Sequence, residues 1–486
     1  MMAVNQPQNP VLLPASALLA VLVLSAAGAA AQAPNPTSAT NPFFGSVTAH
    51  PASDEALRLS LDEAISMGLK NNLGLKEVEA QEKSIHGQEN QAVQQFLPTI
   101  TLTADTGVYQ HNLAALGFGP GQVAKFGKLL HFSSLTGFSE ITRDDLTEAQ
   151  IHYKQTLFSS PVISGFKAAR SATNAAHFAK MTARGEVVQQ VATAYLHAIA
   201  AASEVDNAKA LEAEDQVQLD HAHDAHLAGT LANLDELRAR VQLQAQQQTR
   251  IAQENALEKD LILLKREIGV DPSQKIVLTD PAPYSELALE TPEEVRAVAY
   301  KNRQDYQNLQ NQAQVYKGVR AAYRGQRLPS LSFSGYYGVS DVSGVGTHGN
   351  FFAQGTLSIP IFREASLRGD SDAAQAQLGA VNAQLADLKI HIDQQVRSAL
   401  LDVEASSKLV EVARSNVDLA TRALSDETDR VKAGVDDNLP LVTAQATLAA
   451  AQTNLVESLY QYNISKLALA RASGILEQQY RVYLGR

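Results

Sequence analysis

"QQFLPTITLTAD", residues 94–105, closes a run rich in Ala, Gln and Glu and opens a different pattern. "GQRLPSLSFSGY", residues 325–336, does the same. In both, a helical period of 3.6 stops at Leu-Pro and strict alternation of apolar and polar residues begins. Pro98 and Pro329 are the stops, because proline lacks an N–H and disfavours helical geometry in the residue before it. A shift of 231 positions superposes Pro98 on Pro329, Ile100 on Leu331 and Leu102 on Phe333. Without a gap it also places Asp62-Glu63 on Glu293-Glu294 and Lys70-Asn71 on Lys301-Asn302. Further along, a shift of 205 superposes residues 227–239 on 432–444 and Ile268-Gly269 on Ser473-Gly474. The two shifts differ by 26, so the first half carries extra sequence, mostly within 110–148. A repeat this long is a duplicated structural unit.

Each unit reads in one order. A helix (61–96, then 292–327) ends before the proline, and two alternating segments follow with a Gly-rich loop between them. A much longer helical stretch (166–228, then 364–433) leads through a Gly turn to a final helix (231–268, then 436–473). The long helices carry seams of 4-3 spacing. One runs through Ala399, Val403, Ser406, Val410, Ala413, Val417, Ala420 and Leu424, the other through Val187, Val191, Ala194, Ala198, Ala201 and Val205. A 63-residue helical stretch spans roughly 95 Å, a length that suits a tube or a spacer. The expected organisation is a signal peptide at 1–31 with cleavage near Ala31 or Ala33, and a flexible segment at 32–58. A first repeat at 59–270, a linker at 271–289, a second repeat at 290–475 and a tail at 476–486 follow. The signal reading rests on the apolar run Val11–Leu24 and the small residues after it, although no Lys or Arg precedes Arg58.

Composition narrows the function. Aromatics are 6% with no Trp, thin material for a large globular core and good material for closely packed helices. Net charge is −11 and no basic stripe of the kind nucleic acid requires is present. Cysteine is absent, which removes disulfides, thiolate metal sites and a Cys nucleophile. No phosphate loop, HExxH or flanked nucleophile occurs, so neither an enzyme nor a cofactor is expected.

The alternating segments, about 98–109, 149–158, 328–339 and 350–360, are near ten residues each, the length of a tilted membrane-spanning strand. Ile100, Leu102, Ala104 and Val108 alternate with Thr99, Thr101, Thr103 and Asp105, and Ile151, Tyr153 and Leu157 with His152, Lys154 and Thr156. Leu331, Phe333, Tyr337 and Val339 oppose Ser330, Ser332, Ser334 and Tyr336; Phe351, Ala353, Leu357 and Ile359 oppose Phe352, Gln354, Thr356 and Ser358. A soluble sheet with one wet face alternates too. Here the polar faces are mostly small hydroxyls, as in a water-filled lumen, with Tyr and Phe placed toward the strand ends as an interface girdle. His152, Lys154, Ser332, Ser334, Gln354 and Thr356 are the pore-facing candidates. Four strands cannot close a barrel, for which about eight is the minimum, so assembly of several chains is expected, three giving twelve strands.

The chain resembles the TolC family of outer-membrane channel proteins. The resemblance rests on the duplicated architecture, on "LSLDEAISMGLKNN" (59–72), "FLPTITL" (96–102) and "RLPSLSF" (327–333). It rests also on "LAGTLANLDELRARVQLQAQ" (227–246) and "KAGVDDNLPLVTAQATLAAAQ" (432–452) at the helix turns. It implies a mainly α fold with a small β part: a homotrimer with a twelve-stranded barrel in outer-membrane lipid, carried on a long α-helical tunnel in the periplasm. It further implies docking to a periplasmic adaptor protein and an inner-membrane pump of RND or ABC type, for drug efflux or type I secretion. The alternative is a periplasmic or membrane-anchored coiled-coil scaffold that uses the sheet only to oligomerise.

By the same resemblance the adaptor docks at hairpin tips matching Ala228-Gly229-Thr230 and Ala433-Gly434-Val435, where Gly229 and Gly434 also read as helix terminators. Family members often close the periplasmic mouth with acidic residues, but the matching positions here are Pro440 and Thr443. Asp436 and Asp437, one turn nearer the tip, are substitutes for that gate, although Asp436 also suits a helix cap. Asp235 and Arg238 occupy the matching positions in the first unit. His221, His223 and His226 lie beside Asp220 and Asp224 in "DHAHDAHLAG", read as a solvated stretch without a metal. Residues 110–148, with Lys125, Lys128 and Arg143, are expected as a long external loop.

Overall fold

The structure, a computed structural model, describes residues 42–47, 50–112, 115, 141–229, 232–281, 284–342, 346–432 and 438–485. After a 3-10 turn at Pro42–Phe44, the first repeat holds β1 (Leu57–Leu59), α1 (Leu61–Asn71), α2 (Leu73–Gln94), β2 (Thr99–Asn112), β3 (Ile141–Phe158), α3 (Ser160–Leu227) and α4 (Asn233–Ile268). The second holds β4 (Ile276–Leu278), α5 (Pro292–Asn302), α6 (Gln304–Gly325), β5 (Ser330–Val342), β6 (Gly346–Ser358), α7 (Glu364–Lys432) and α8 (Asn438–Ala472). A final helix, α9 (Leu476–Tyr483), follows. The expected signal peptide at 1–31 lies outside the described residues.

The duplication is visible in local chemistry. Ser60 caps α1 and Thr291 caps α5, each accepting from the backbone N–H three residues on. Glu63 and Glu294 return the bond to the cap N–H at 2.9 and 3.0 Å. Those hydrogen bonds, from Ser60 and Thr291, hold both carboxyls below the usual range. At the other end of each repeat, Gly269 and Gly474 take left-handed φ values of 78° and 77°. Val270 and Ile475 then donate back to the carbonyls of Lys265 and Ala470, the Schellman closure at equivalent places.

Each opening helix, expected to be continuous, is broken once. The breaks fall at Asn72 and Arg303, residues that the shift of 231 superposes. Packing causes them. Cβ atoms on Gly269 and Gly474 would lie 2.8 Å from Asn71 Cβ and 2.7 Å from Arg303 N, so each helix gives way where the returning hairpin ends against it. Asn72 then restarts α2 by accepting from the Leu75 N–H at 3.1 Å, while Arg303 forms a fork with Asp305.

Among the described residues, Ser84–Thr173 and Gln312–Ala380 form one compact unit and the rest form a second. In the first, β2-β3-β5-β6 make an antiparallel sheet in that order. The small core beneath the Leu-Pro stops is built from Ala168, Ala172, Val315, Val319, Ala322 and Ala374. Small residues are required there: a Cβ on Gly318 would lie 2.9 Å from that of Ala168. Arg327, just before Leu328-Pro329, donates twice to Glu364 at the start of α7, with Arg368 on the same carboxylate. These bonds hold Glu364 down to about 2.

The strands run longer than expected. β3 begins at Ile141, inside the stretch read as loop, because the β2–β3 ladder continues from Ala104–Ala149 to Asn112–Ile141 after the apolar alternation has faded. Arg143 is thus a strand residue, whereas Lys125 and Lys128 lie outside the described residues.

The second unit holds two large buried clusters, and a smaller one of Ala420, Leu424, Leu441, Leu448 and Ala451 between α7 and α8. The first gathers Leu59, Leu61, Ile65, Val187, Val191, Tyr195, Leu264 and Ile268; the second Val295, Ala299, Ile392, Val396, Val403, Val410, Tyr462 and Leu469. Three segments read as flexible, linker or tail are tied into them. β1 pairs in parallel with β4, Phe43 packs on the first core, and Leu476, Tyr480 and Leu484 are buried in it. The seam residues from Ala399 to Leu424 are all buried except the half-buried Val417.

Candidate functional site: the polar sheet face and the hairpin ends

The register sorts the sheet into two faces. Successive rows across β2, β3, β5 and β6 read Thr99–Lys154–Ser334–Gln354, then Thr101–His152–Tyr336–Phe352, then Thr103–Gln150–Gly338–Asn350, then Asp105–Glu148–Ser340–His348. Thr156–Ser332–Thr356 precede them at the helix end. All six pore-facing candidates, His152, Lys154, Ser332, Ser334, Gln354 and Thr356, therefore share one face. The opposite face holds Ile100, Leu102, Val108, Ile151, Tyr337, Val339, Phe351 and Leu357, every one exposed. Leu102 at 73% and Phe351 at 77% exposure are far outside what a water-soluble surface presents as a continuous band.

The polar face is cross-braced. His152 Nε2 lies 3.0 Å from Thr103 Oγ1, Ser340 donates to Glu148 at 2.7 Å, and Asn350 donates to Ser340 at 2.6 Å. Tyr336 and Phe352 do not join an interface girdle; they stand mid-strand on the polar face. Tyr336 stacks on Phe352 with centroids 5.8 Å apart and lies 5.4 Å from the His152 ring. The alternation identified their face, while only the register shows that the three rings are in line.

At the first hairpin end, Gly229 takes φ 73° and terminates α3 beside Ala228. Thr230, Ala433, Gly434, Val435, Asp436 and Asp437 lie outside the described residues. Asp235 and Arg238 pair with each other on α4 at 3.0 Å. Of the His residues nearby, His223 lies 3.2 Å from Glu236, a buried carboxylate also held by Arg240 at 2.9 Å. Among the described residues no group of three or more His, Cys, Asp and Glu side chains is placed to hold a metal.

Lys466, which is buried, and Glu267, which is half-buried, were not singled out from the sequence. Lys466 is fully buried on α8; its Nζ donates to the Ser285 carbonyl at 3.2 Å and sits 4.4 Å from the Tyr462 ring. Burial pulls it down to about 8. Glu267, on the wall of a cavity lined also by His197, Asp260, Arg266 and Arg471, is pushed up by burial to about 7. Lys466 shares its helix face with Tyr462, Asn463, Leu469 and Ala470, all buried, whereas Glu267 stands between Arg266 and Ile268.

Among the described residues no helix is long and apolar enough to cross a membrane. Exposed apolar strands with a polar reverse face and long paired helices define an outer-membrane channel. The family model described as "Outer membrane efflux protein" matches residues 64–270 and 295–475, and the chain belongs to that family. Solved structures share the fold. A membrane protein from Pseudomonas aeruginosa is 19% identical, with a TM-score of 0.68 over 85% of this chain and 93% of that one. The outer membrane protein VceC of Vibrio cholerae is 16% identical, with a TM-score of 0.66 over 85% and 96%. The Neisseria gonorrhoeae MtrE outer membrane channel in its open state is 17% identical, with a TM-score of 0.67 over 92% and 98%. A search of the curated proteins found no match.

Proposed function

We propose that three copies of this chain build one exit duct of a tripartite efflux system, conducting substrates passively from an inner-membrane pump through a periplasmic adaptor to the outside. The observation that carries the reading is the sheet itself. Among the described residues β2 and β6 are paired on one side only, and most of the apolar face is exposed. In lipid each unpaired edge group is worth several kcal/mol, so the edges must find partners, and twelve strands from three chains provide them. A second feature supports the same assembly. Leu401, Ala405, Leu409, Val412, Asn416 and Leu419 form an exposed stripe on α7, away from its buried seam and at the spacing of a helix-packing surface.

In this duct Ala228, Gly229 and Thr230, with Ala433, Gly434 and Val435, meet the adaptor. Asp436 and Asp437 narrow the periplasmic mouth, with Asp235 and Arg238 beside them. The energy comes from the pump, which is of RND or ABC type, and the chain carries out no chemistry.

The test is extraction of the full-length protein from outer membranes, followed by gel electrophoresis with and without heating and by single-channel recording in a planar bilayer. A heat-modifiable trimer that conducts ions is expected. A monomer that remains soluble without detergent and never conducts would falsify the duct.

A further inference from the structure

The row Thr101–His152–Tyr336–Phe352 is out of keeping with its face. The rows on either side carry hydroxyls, amides and charges, yet here three aromatic rings are aligned across β3, β5 and β6. The His152–Tyr336 rings are tilted by 50° at 5.4 Å and the Tyr336–Phe352 rings lie within 22° of parallel at 5.8 Å. Phe352 remains 44% exposed, so the stack presents π surface to water instead of burying it.

Charge is ordered along the same face. On the helix side of the rings, one same-face step away, stands Lys154. On the far side, two same-face steps or about 14 Å away, Asp105 and Glu148 are direct cross-strand partners. Like charges placed opposite each other destabilise a sheet. The pair is nevertheless built in, with Ser340 holding Glu148 in place at 2.7 Å. A solute travelling away from the helices thus meets a cation, then aromatic faces, then a pair of carboxylates.

Resting on the duct reading above, we propose that His152, Tyr336 and Phe352 form an aromatic step in the pore that retains planar aromatic cations, with Asp105 and Glu148 drawing them on. The chemistry is selective. Ring faces attract both flat π systems and positive charge. In three copies the carboxylates form a band that favours cations and repels anions. Lys154 on the helix side repels the same cations, so their favoured position lies at the rings and toward the carboxylates. Small inorganic cations feel the carboxylates but gain little from the rings, so conductance and aromatic retention are separable properties.

The experiment uses full-length trimers in a planar bilayer, in potassium chloride, with ethidium as the planar aromatic cation and 2-naphthalenesulfonate as its anionic counterpart. Wild type is expected to show concentration-dependent interruption of the current by ethidium and much weaker interruption by the sulfonate. Tyr336→Leu and Phe352→Leu keep an apolar residue suited to the sheet. Each should weaken ethidium block about three- to tenfold, measured as the fraction of that variant's own potassium chloride current that is interrupted. Glu148→Gln, which leaves every ring in place, should weaken ethidium block and strengthen that by the sulfonate. Equal ethidium block in wild type and in the Tyr336→Leu/Phe352→Leu double variant overturns the step, as does block by the sulfonate as strong as by ethidium. A wild-type preparation that never conducts overturns the duct and the step together, and is recognised before either probe is added.

Discussion

Lys466 carries a charge that its surroundings oppose. It is fully buried, with the Ser285 carbonyl and the Tyr462 ring as partners. Burial lowers its pKa from the ordinary 10.5 to about 8, so the folded chain binds the proton less tightly than the unfolded chain does. Below pH 8 both states are charged and the folded state carries the full penalty, on the order of 3 kcal/mol. Between about pH 8 and 10.5 the folded lysine loses its proton while the unfolded one keeps it, so stability from this group rises with pH. Lys466→Met should remove that rise. It should also raise the thermal midpoint at pH 7, because the Ser285 carbonyl keeps its bond from the Tyr462 hydroxyl at 3.2 Å. Midpoints of the detergent-extracted protein from pH 7 to 10.5 decide it: parallel curves for wild type and variant would show that the charge is not strained.

At the scale of elements, the Leu-Pro stops, the strand faces and the buried seams were all legible, because each is a periodicity that the chain carries locally. The breaks at Asn72 and Arg303 were not, since their cause is the distant Gly269 and Gly474 turns arriving against them. β1 and β4 escaped for a similar reason: three-residue strands paired across 219 positions have no period to detect. The extra length of β3 was hidden by composition, as its first eight residues include Arg143, Asp144, Asp145 and Glu148 and read as loop. Position-dependent glycine is the testable consequence. At Gly474, φ 77° and the 2.7 Å approach to Arg303 N make alanine costly, by at least about 1–2 kcal/mol for the left-handed backbone alone. Gly369 lies inside α7 with open space around its Cβ direction, so alanine there should stabilise by about 0.5–1 kcal/mol. Thermal midpoints of Gly474→Ala and Gly369→Ala should therefore move in opposite directions, and a shift of the same sign in both would refute the special requirement for glycine at the hairpin's end.

For the whole molecule, the decisive property is which face of the sheet meets lipid, because that choice fixes both the assembly and the chemistry of the passage. Neighbouring residues of β2 make the comparison almost controlled. Leu102 and Thr101 differ by one position along the strand, stand on opposite faces and are both exposed in the single chain. If the apolar face is set in the bilayer, Leu102→Arg places a charge in hydrocarbon at about 2–4 kcal/mol per chain near the midplane, multiplied by the copies in the assembly. Thr101→Arg places the same side chain in water beside His152, where it alters the current without opposing insertion. The expected outcome is loss of heat-modifiable assemblies from the outer membrane for Leu102→Arg, and normal assembly with altered conductance for Thr101→Arg. Normal membrane assembly of Leu102→Arg with failure of Thr101→Arg would invert the faces, and the aromatic row would then lie against lipid. The outcome thus tests the fold at its largest scale through a single residue step, since a slip of one position in the strand exchanges the two faces entirely.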